Sequence, residues 1–224
     1  MRKAAELRPV EALAILKEGR YGGMTYSSAV NGFVKGYVKS SDSEVNWLEL
    51  IKDVKGITGA SGTSFVDGYG TVARTVALEW AKEDLRASLD WFTRETGREL
   101  SDPKYVGQIT SVLGGLPAEE KFQAIDWIGE QRDRPEWNDQ LALKYGKTLA
   151  LKKTPLDPDV DRLVGFVNNE DLRYEFVSNF LKPAKSGKGL ELRYDRVSLN
   201  RLIESARLPV ERSESLQKQM ASVK

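Results

Sequence analysis

The chain predicts an all-α fold, a stack of antiparallel helical hairpins of α-solenoid-like form, and three observations carry that expectation. The stretch 72–92, VARTVALEWAKEDLRASLDWF, holds two successive helical stripes joined by a turn too short for anything but a hairpin. A second copy of its landmarks precedes it, with Tyr26, Phe33, Tyr37 and Ser41 standing 43 residues before Tyr69, Val76, Trp80 and Asp84. Strand patterning is scarce: LELRY at 190–194 alternates, but no partner run is evident.

The elements follow in order. Pro9 at the first helical position and Gly19 just past the end bracket a first helix, with Val10, Leu13 and Ala14 expected inward. A glycine turn at Gly22 and Gly23 leads to a second, whose Tyr26, Val30, Phe33, Val34 and Tyr37 keep the helical period. Ser28, Gly32 and Gly36 form a small-residue stripe beside them. Ser41 to Glu44 reads as a capping box opening a third helix through Val45, Trp47, Leu48 and Ile51.

In the central hairpin Val72, Val76 and Trp80 make one stripe and Ala73, Ala77 and Ala81 another, a pattern for close packing on more than one side. Asp84 stands where an N-cap belongs, and Leu85, Leu89 and Phe92 share the next face, with Ala87 and Trp91 on its flank. Trp91 follows Trp47 by the same offset plus one residue.

Asp102-Pro103 starts a helix through Tyr105, Val106, Ile109, Val112 and Leu113, ending at Gly114-Gly115. Pro117, Glu119 and Glu120 open its partner, with Phe122, Ile125, Trp127 and Ile128. The next pair places Trp137, Leu141, Tyr145 and Leu149 on one helix and, after Asp157-Pro158, Val160, Leu163, Val164 and Val167 on the other. Leu172, Phe176, Val177 and Phe180 mark a further helix. PAKSGKGL at 183–190 reads as a loop or linker, Leu199, Leu202 and Ile203 as one more helix, and the tail after Leu208-Pro209 as polar, with Val210, Leu216 and Met220 to bury. The expected division is a hairpin array over 1–182 and a linker, C-terminal helix and polar tail over 183–224.

Composition narrows the function classes. With 34 basic against 33 acidic residues the net charge is +1, which argues against a dedicated nucleic-acid binder. Cysteine is absent, so neither disulfides nor thiolate metal sites arise. Histidine is absent too, which removes the commonest general acid/base and zinc ligand. No apolar run reaches the roughly 20 residues of a membrane span. Glu6 and Glu11 interrupt the apolar part of the N-terminal segment, so it does not read as a signal peptide and the cytoplasm is expected; a removed leader would imply the periplasm or secretion.

The motifs with chemical overtones favour structural readings. Gly68, Gly70 and Ala73 match a dinucleotide fingerprint in spacing, but the period from Phe65 to Trp80 puts them in a helix. SGKG at 186–189 lacks the first glycine and the hydroxyl residue of a P-loop. Asp157, Asp159 and Asp161 open like a calcium loop, yet Arg162 and Asn168 stand at the required Gly and Glu positions, so they read as a cap and first-turn acids. Glu119-Glu120 and Glu170-Asp171 read likewise. The five tryptophans, 47, 80, 91, 127 and 137, are expected in the core, with Trp137, flanked by Glu136 and Asn138, the one expected to be partly exposed.

Trp80, Ala81, Asp84 and Trp91 spell W-A-x2-D-x6-W. The pattern resembles the hairpins of a group of uncharacterised bacterial α-helical repeat proteins, and more broadly tetratricopeptide-type solenoids, over about Tyr26 to Leu181. That resemblance implies stacked hairpins and transfers no catalytic residues. Arrays of this kind expose an extended concave face that serves protein binding.

The expected function is therefore a non-catalytic protein-interaction or scaffold module, with no catalytic, cofactor or metal residues assigned and a protein partner not yet identified. One alternative is a protein that associates with nucleic acid or an anionic surface through its one basic run, Lys182, Lys185, Lys188, Arg193, Arg196 and Arg201. A second is a carboxylate-dependent enzyme in an all-α bundle.

Overall fold

The structure is a computed structural model. It describes all residues except 21, 23–24, 42–44, 56–64, 97–102, 118–119, 132, 152–155, 157, 183, 187–188 and 224, and gives the backbone alone at 26–27, 54–55, 65–72, 95–96, 103–105, 184–186 and 189–191. The chain is all-α and divides into two compact units, Met1–Arg98 and Glu99–Lys224.

The first unit comprises α1 (Arg2–Leu7), α2 (Pro9–Lys17), α3 (Tyr26–Ser40), α4 (Trp47–Lys55), α5 (Phe65–Trp80) and α6 (Leu85–Thr96). Pro9 occupies the first position of α2. Gly19, at φ 71°, closes that helix: its N–H donates to the Leu16 carbonyl and that of Arg20 to Ile15, which satisfies two of the orphan carbonyls. The inward residues of α2 are Ala12 and Leu16, whereas Val10 is 80% exposed. Of the three residues expected inward only Leu13 is half-buried, while Val10 and Ala14 are exposed, because α2 is apolar nearly all round and periodicity does not choose its face.

The small-residue stripe of α3 has a definite use. A Cβ on Gly36 would meet the Arg2 carbonyl oxygen and lie 2.7 Å from the Ala5 Cβ, so glycine is what lets α1 lie against α3. Thr25 caps α3 by accepting from the Ser28 N–H at 3.3 Å. The Ser41 hydroxyl donates back to the Tyr37 carbonyl at 3.2 Å at the end of α3, and α4 begins only at Trp47; the capping box read from Ser41 reaches to Glu44, which lies outside the described residues. Asn46 caps α4 instead, its side-chain oxygen accepting from Glu49 N–H at 3.1 Å.

Asp84 does cap α6, accepting from the Ala87 N–H at 2.9 Å. The Ser88 hydroxyl donates to the Ala77 carbonyl at 2.8 Å, which pairs positions on either side of the turn and fixes α5 and α6 as an antiparallel hairpin. Ala73, Val76, Ala77, Ala81, Leu85, Leu89 and Phe92 are buried.

The second unit holds α7 (Pro103–Gly114), α8 (Lys121–Glu130), α9 (Pro135–Leu151), α10 (Pro158–Gly165), α11 (Glu170–Leu181), a two-stranded hairpin of β1 (Ala184–Ser186) and β2 (Gly189–Glu191), α12 (Arg196–Ser205) and α13 (Val210–Ser222). Helix α9 packs on α7 and α11, and α11 on α13; α10 packs on α8 and α12. From α8 onward each helix also touches the next in sequence. Gly146 lets α9 and α11 approach, since a Cβ there would run into the Phe176 ring, 2.6 Å from Cζ and closer still to Cε2. Asp139, buried on α9, holds the α10–α11 turn by accepting from the Asn168 N–H at 2.7 Å and the Asn169 N–H at 2.8 Å.

Several local expectations change in this unit. Trp137 is only 6% exposed, packed edge-on to Trp127 with ring centroids 6.2 Å apart, and its neighbour Asn138 is buried as well. Phe122 is exposed, with the Arg162 guanidinium 4.9 Å over its ring, and Val210 is exposed at the start of α13. The segment read as a loop forms the antiparallel hairpin β1–β2, with Ala184 opposite Glu191 and Ser186 opposite Gly189. This supplies the partner that the alternating run at 190–194 lacked. The tail is a helix docked through Leu216 and Met220.

Candidate functional site

In the first unit, the N-terminus of α4 and the turn between α5 and α6 enclose an open groove of about 620 Å³. Its apolar wall is Val45, Trp47, Leu48, Trp80 and Ala87; its polar wall is Asn46, Glu83 and Asp84. Trp80 is the last residue of α5 and lines the groove with part of its surface left open to solvent. The indoles of Trp47 and Trp80 stack with centroids 6.0 Å apart and planes 9° apart, and Trp91 tilts against Trp80 at 5.9 Å. Trp47 and Trp91 are each 6% exposed, Trp80 is half-buried, and Leu48 is 65% exposed.

The polar wall is equally fixed. The Trp47 indole N–H donates to Glu83 Oε2 at 2.7 Å, so one hydrogen bond orients both the ring and the carboxylate. Asp84 is held by its capping bond through Oδ1. Lys82, the cation of this turn, is paired with Glu79. The result is a rigid aromatic slot with two carboxylates on its rim. The sequence pattern placed Trp80 in the core, but the stripe does not reveal that Trp47 and Trp91 leave part of that residue open to the groove.

The basic run in the second unit is dispersed among structural tasks. Arg201 pairs with Asp161 and donates to the Leu156 carbonyl at 3.1 Å. Arg196 donates to the Val223 carbonyl at 2.9 Å, at the end of α13. Arg193 donates to the Ala150 carbonyl at 3.2 Å, and the buried Tyr194 hydroxyl donates to the same oxygen at 3.0 Å; together they close the end of α9. Lys182 donates to the Asn179 side-chain oxygen at 2.6 Å. Lys185 lies on β1 with only its backbone described, and Lys188 lies outside the described residues.

The motif residues fall where structural readings put them. Gly68, Gly70 and Ala73 lie within α5. Asp159 and Asp161 are first-turn acids of α10, facing Arg162 and Arg201, while Asp157 lies outside the described residues. Glu170 and Asp171 open α11 and both pair with Arg212, whose guanidinium pKa is raised chiefly by the hydrogen bond it donates to Asp171. Glu120 precedes α8 without a side-chain cap bond, and Glu119 lies outside the described residues. Among the described residues no group of three or more carboxylates has the geometry to hold a metal ion, and no helix is long and apolar enough to cross a membrane.

No protein-family model, curated protein or solved structure matches the chain.

Proposed function

We propose that this chain is a non-catalytic interaction module built from stacked helical hairpins of the W-A-x2-D-x6-W kind, and that the tryptophan groove is where its partner docks. The alternation of helix neighbours in the second unit, each in contact with the next but one and, from α8 onward, with the next, supports a two-layer stack. The observation that carries the docking role is the combination of a half-buried Trp80 with an exposed Leu48 beside it in one groove. Tryptophan in a rigid pocket is the usual anchor of an interface, because it contributes large contact area with little side-chain entropy to lose.

The carboxylate-enzyme reading has less support, since both oxygens of the buried Asp139 are already engaged by backbone amides. The anionic-surface reading is weakened in the same way, because Arg193, Arg196 and Arg201 direct donors to backbone carbonyls.

The test is affinity capture from the native host with the wild-type chain and with a Leu48→Ser, Trp80→Leu variant of matched far-UV spectrum. A partner held by the wild type and lost by the variant supports the docking role. A partner held equally by both removes it.

A further inference from the structure

The docking reading leaves open what the groove accepts, and on that reading the chemistry of its walls selects one class of ligand. We propose that the groove takes a segment of a partner protein carrying an arginine next to an aliphatic residue. The guanidinium lies over the uncovered part of the Trp80 ring, between Glu83 and Asp84, and the aliphatic side chain sits against Leu48 and Val45.

Three features converge on this occupant. The rim carries two carboxylates, each fixed by a bond through one oxygen, to the Trp47 N–H for Glu83 and to the Ala87 N–H for Asp84. Both residues are exposed, and Lys82 is turned to Glu79. A neutral apolar ligand would therefore strip water from two charges without replacing it, at a cost that a cation removes. The wall between them is an indole ring, and a planar guanidinium both stacks on such a face and bonds carboxylates at its edge, which a lysine ammonium does less well. Finally, about 620 Å³ open to solvent suits two or three side chains of a short segment. Phosphate-bearing ligands are repelled by the same rim.

The experiment uses the full chain, isotope-labelled so that the five indole N–H resonances are followed by NMR, with Trp80 identified through the Trp80→Leu variant. It is titrated with the blocked peptide Gly-Leu-Arg-Leu-Gly and with versions carrying Gln or Glu in place of Arg. The arginine peptide is expected to shift the Trp80 and Trp47 resonances, to bind about tenfold more tightly than the glutamine peptide, and to weaken with salt. The double variant Glu83→Gln, Asp84→Asn keeps both fixing bonds and removes both charges, so it should lose about tenfold in affinity for the arginine peptide with no change in melting.

Equal affinity for the arginine and glutamine peptides, with the same two indoles moving, overturns the arginine assignment and leaves the groove as a docking site. Undiminished binding by the double variant, or no movement of the Trp80 resonance with any peptide, also overturns the assignment. The docking role is then decided separately by the capture experiment with the Leu48→Ser, Trp80→Leu variant.

Discussion

Trp80 and Trp91 sit on the same hairpin and touch one another, yet they do different work. Trp91 is closed in beside Phe92, with centroids 6.2 Å apart, while Trp80 keeps part of its ring in the groove. Trp91→Ala is therefore expected to cost about 3–5 kcal/mol in urea denaturation. Trp80→Leu should cost less than half of that, because much of the lost area was never removed from water. Equal losses would place both rings in one core. The sequence marked both as members of apolar stripes, but a stripe states only which way a side chain points. Whether another helix meets it depends on partners 33 residues or more away, such as Trp47. Trp137 misled in the opposite sense: flanking polar residues suggested exposure, but Asn138 is itself buried and Glu136 turns outward.

At the scale of single elements, caps and turns were the most legible features where the residue type was sufficient by itself. Asp84, Pro9 and Gly19 act as read, since an acceptor, a fixed φ and a positive φ are properties of one residue. Asp84→Ala is expected to cost about 0.5–2 kcal/mol, with Asp84→Asn nearly neutral, as measured by chemical denaturation. The four-residue pattern from Ser41 does not mark the start of α4, which begins at Trp47 behind its own cap, Asn46. The hairpin β1–β2 was hidden because each strand has three residues, too few for alternation to register.

Asp195, the cap of α12, carries a pH signature. The hydrogen bonds from the Ser198 backbone and side chain lower its pKa below the ordinary 3.8. Its contribution to stability is thus present in full above the unfolded-state value and is lost as pH falls through the lower folded value. Asp195→Asn keeps an acceptor without a titrating proton, so its acid unfolding limb should be shallower than that of the wild type in a pH series of melts. Superimposable limbs would mean that the cap bond is not made in solution.

Across the molecule, the all-α class was legible because helical period and terminators agreed over nearly every described helix. Helix α1 escaped notice, being only six residues long, although Gly32 and Gly36, the part of the small-residue stripe that receives it, were plain on α3. The second unit is held together by contacts between alternate helices. Gly146→Ala, which drives a methyl into the Phe176 ring, should cost about 1–3 kcal/mol and speed hydrogen exchange in both α9 and α11. The candidate site was the least legible part, since a groove exists only where two elements meet and leave a gap.

One open tryptophan beside four closed ones is the arrangement on which the functional reading stands, and graded oxidation with N-bromosuccinimide, mapped by mass spectrometry of the folded chain, tests it directly. Trp80 should be modified first, with Trp47, Trp91, Trp127 and Trp137 protected until the protein unfolds. Modification of Trp137 ahead of Trp80, or of all five at one rate, would contradict the account.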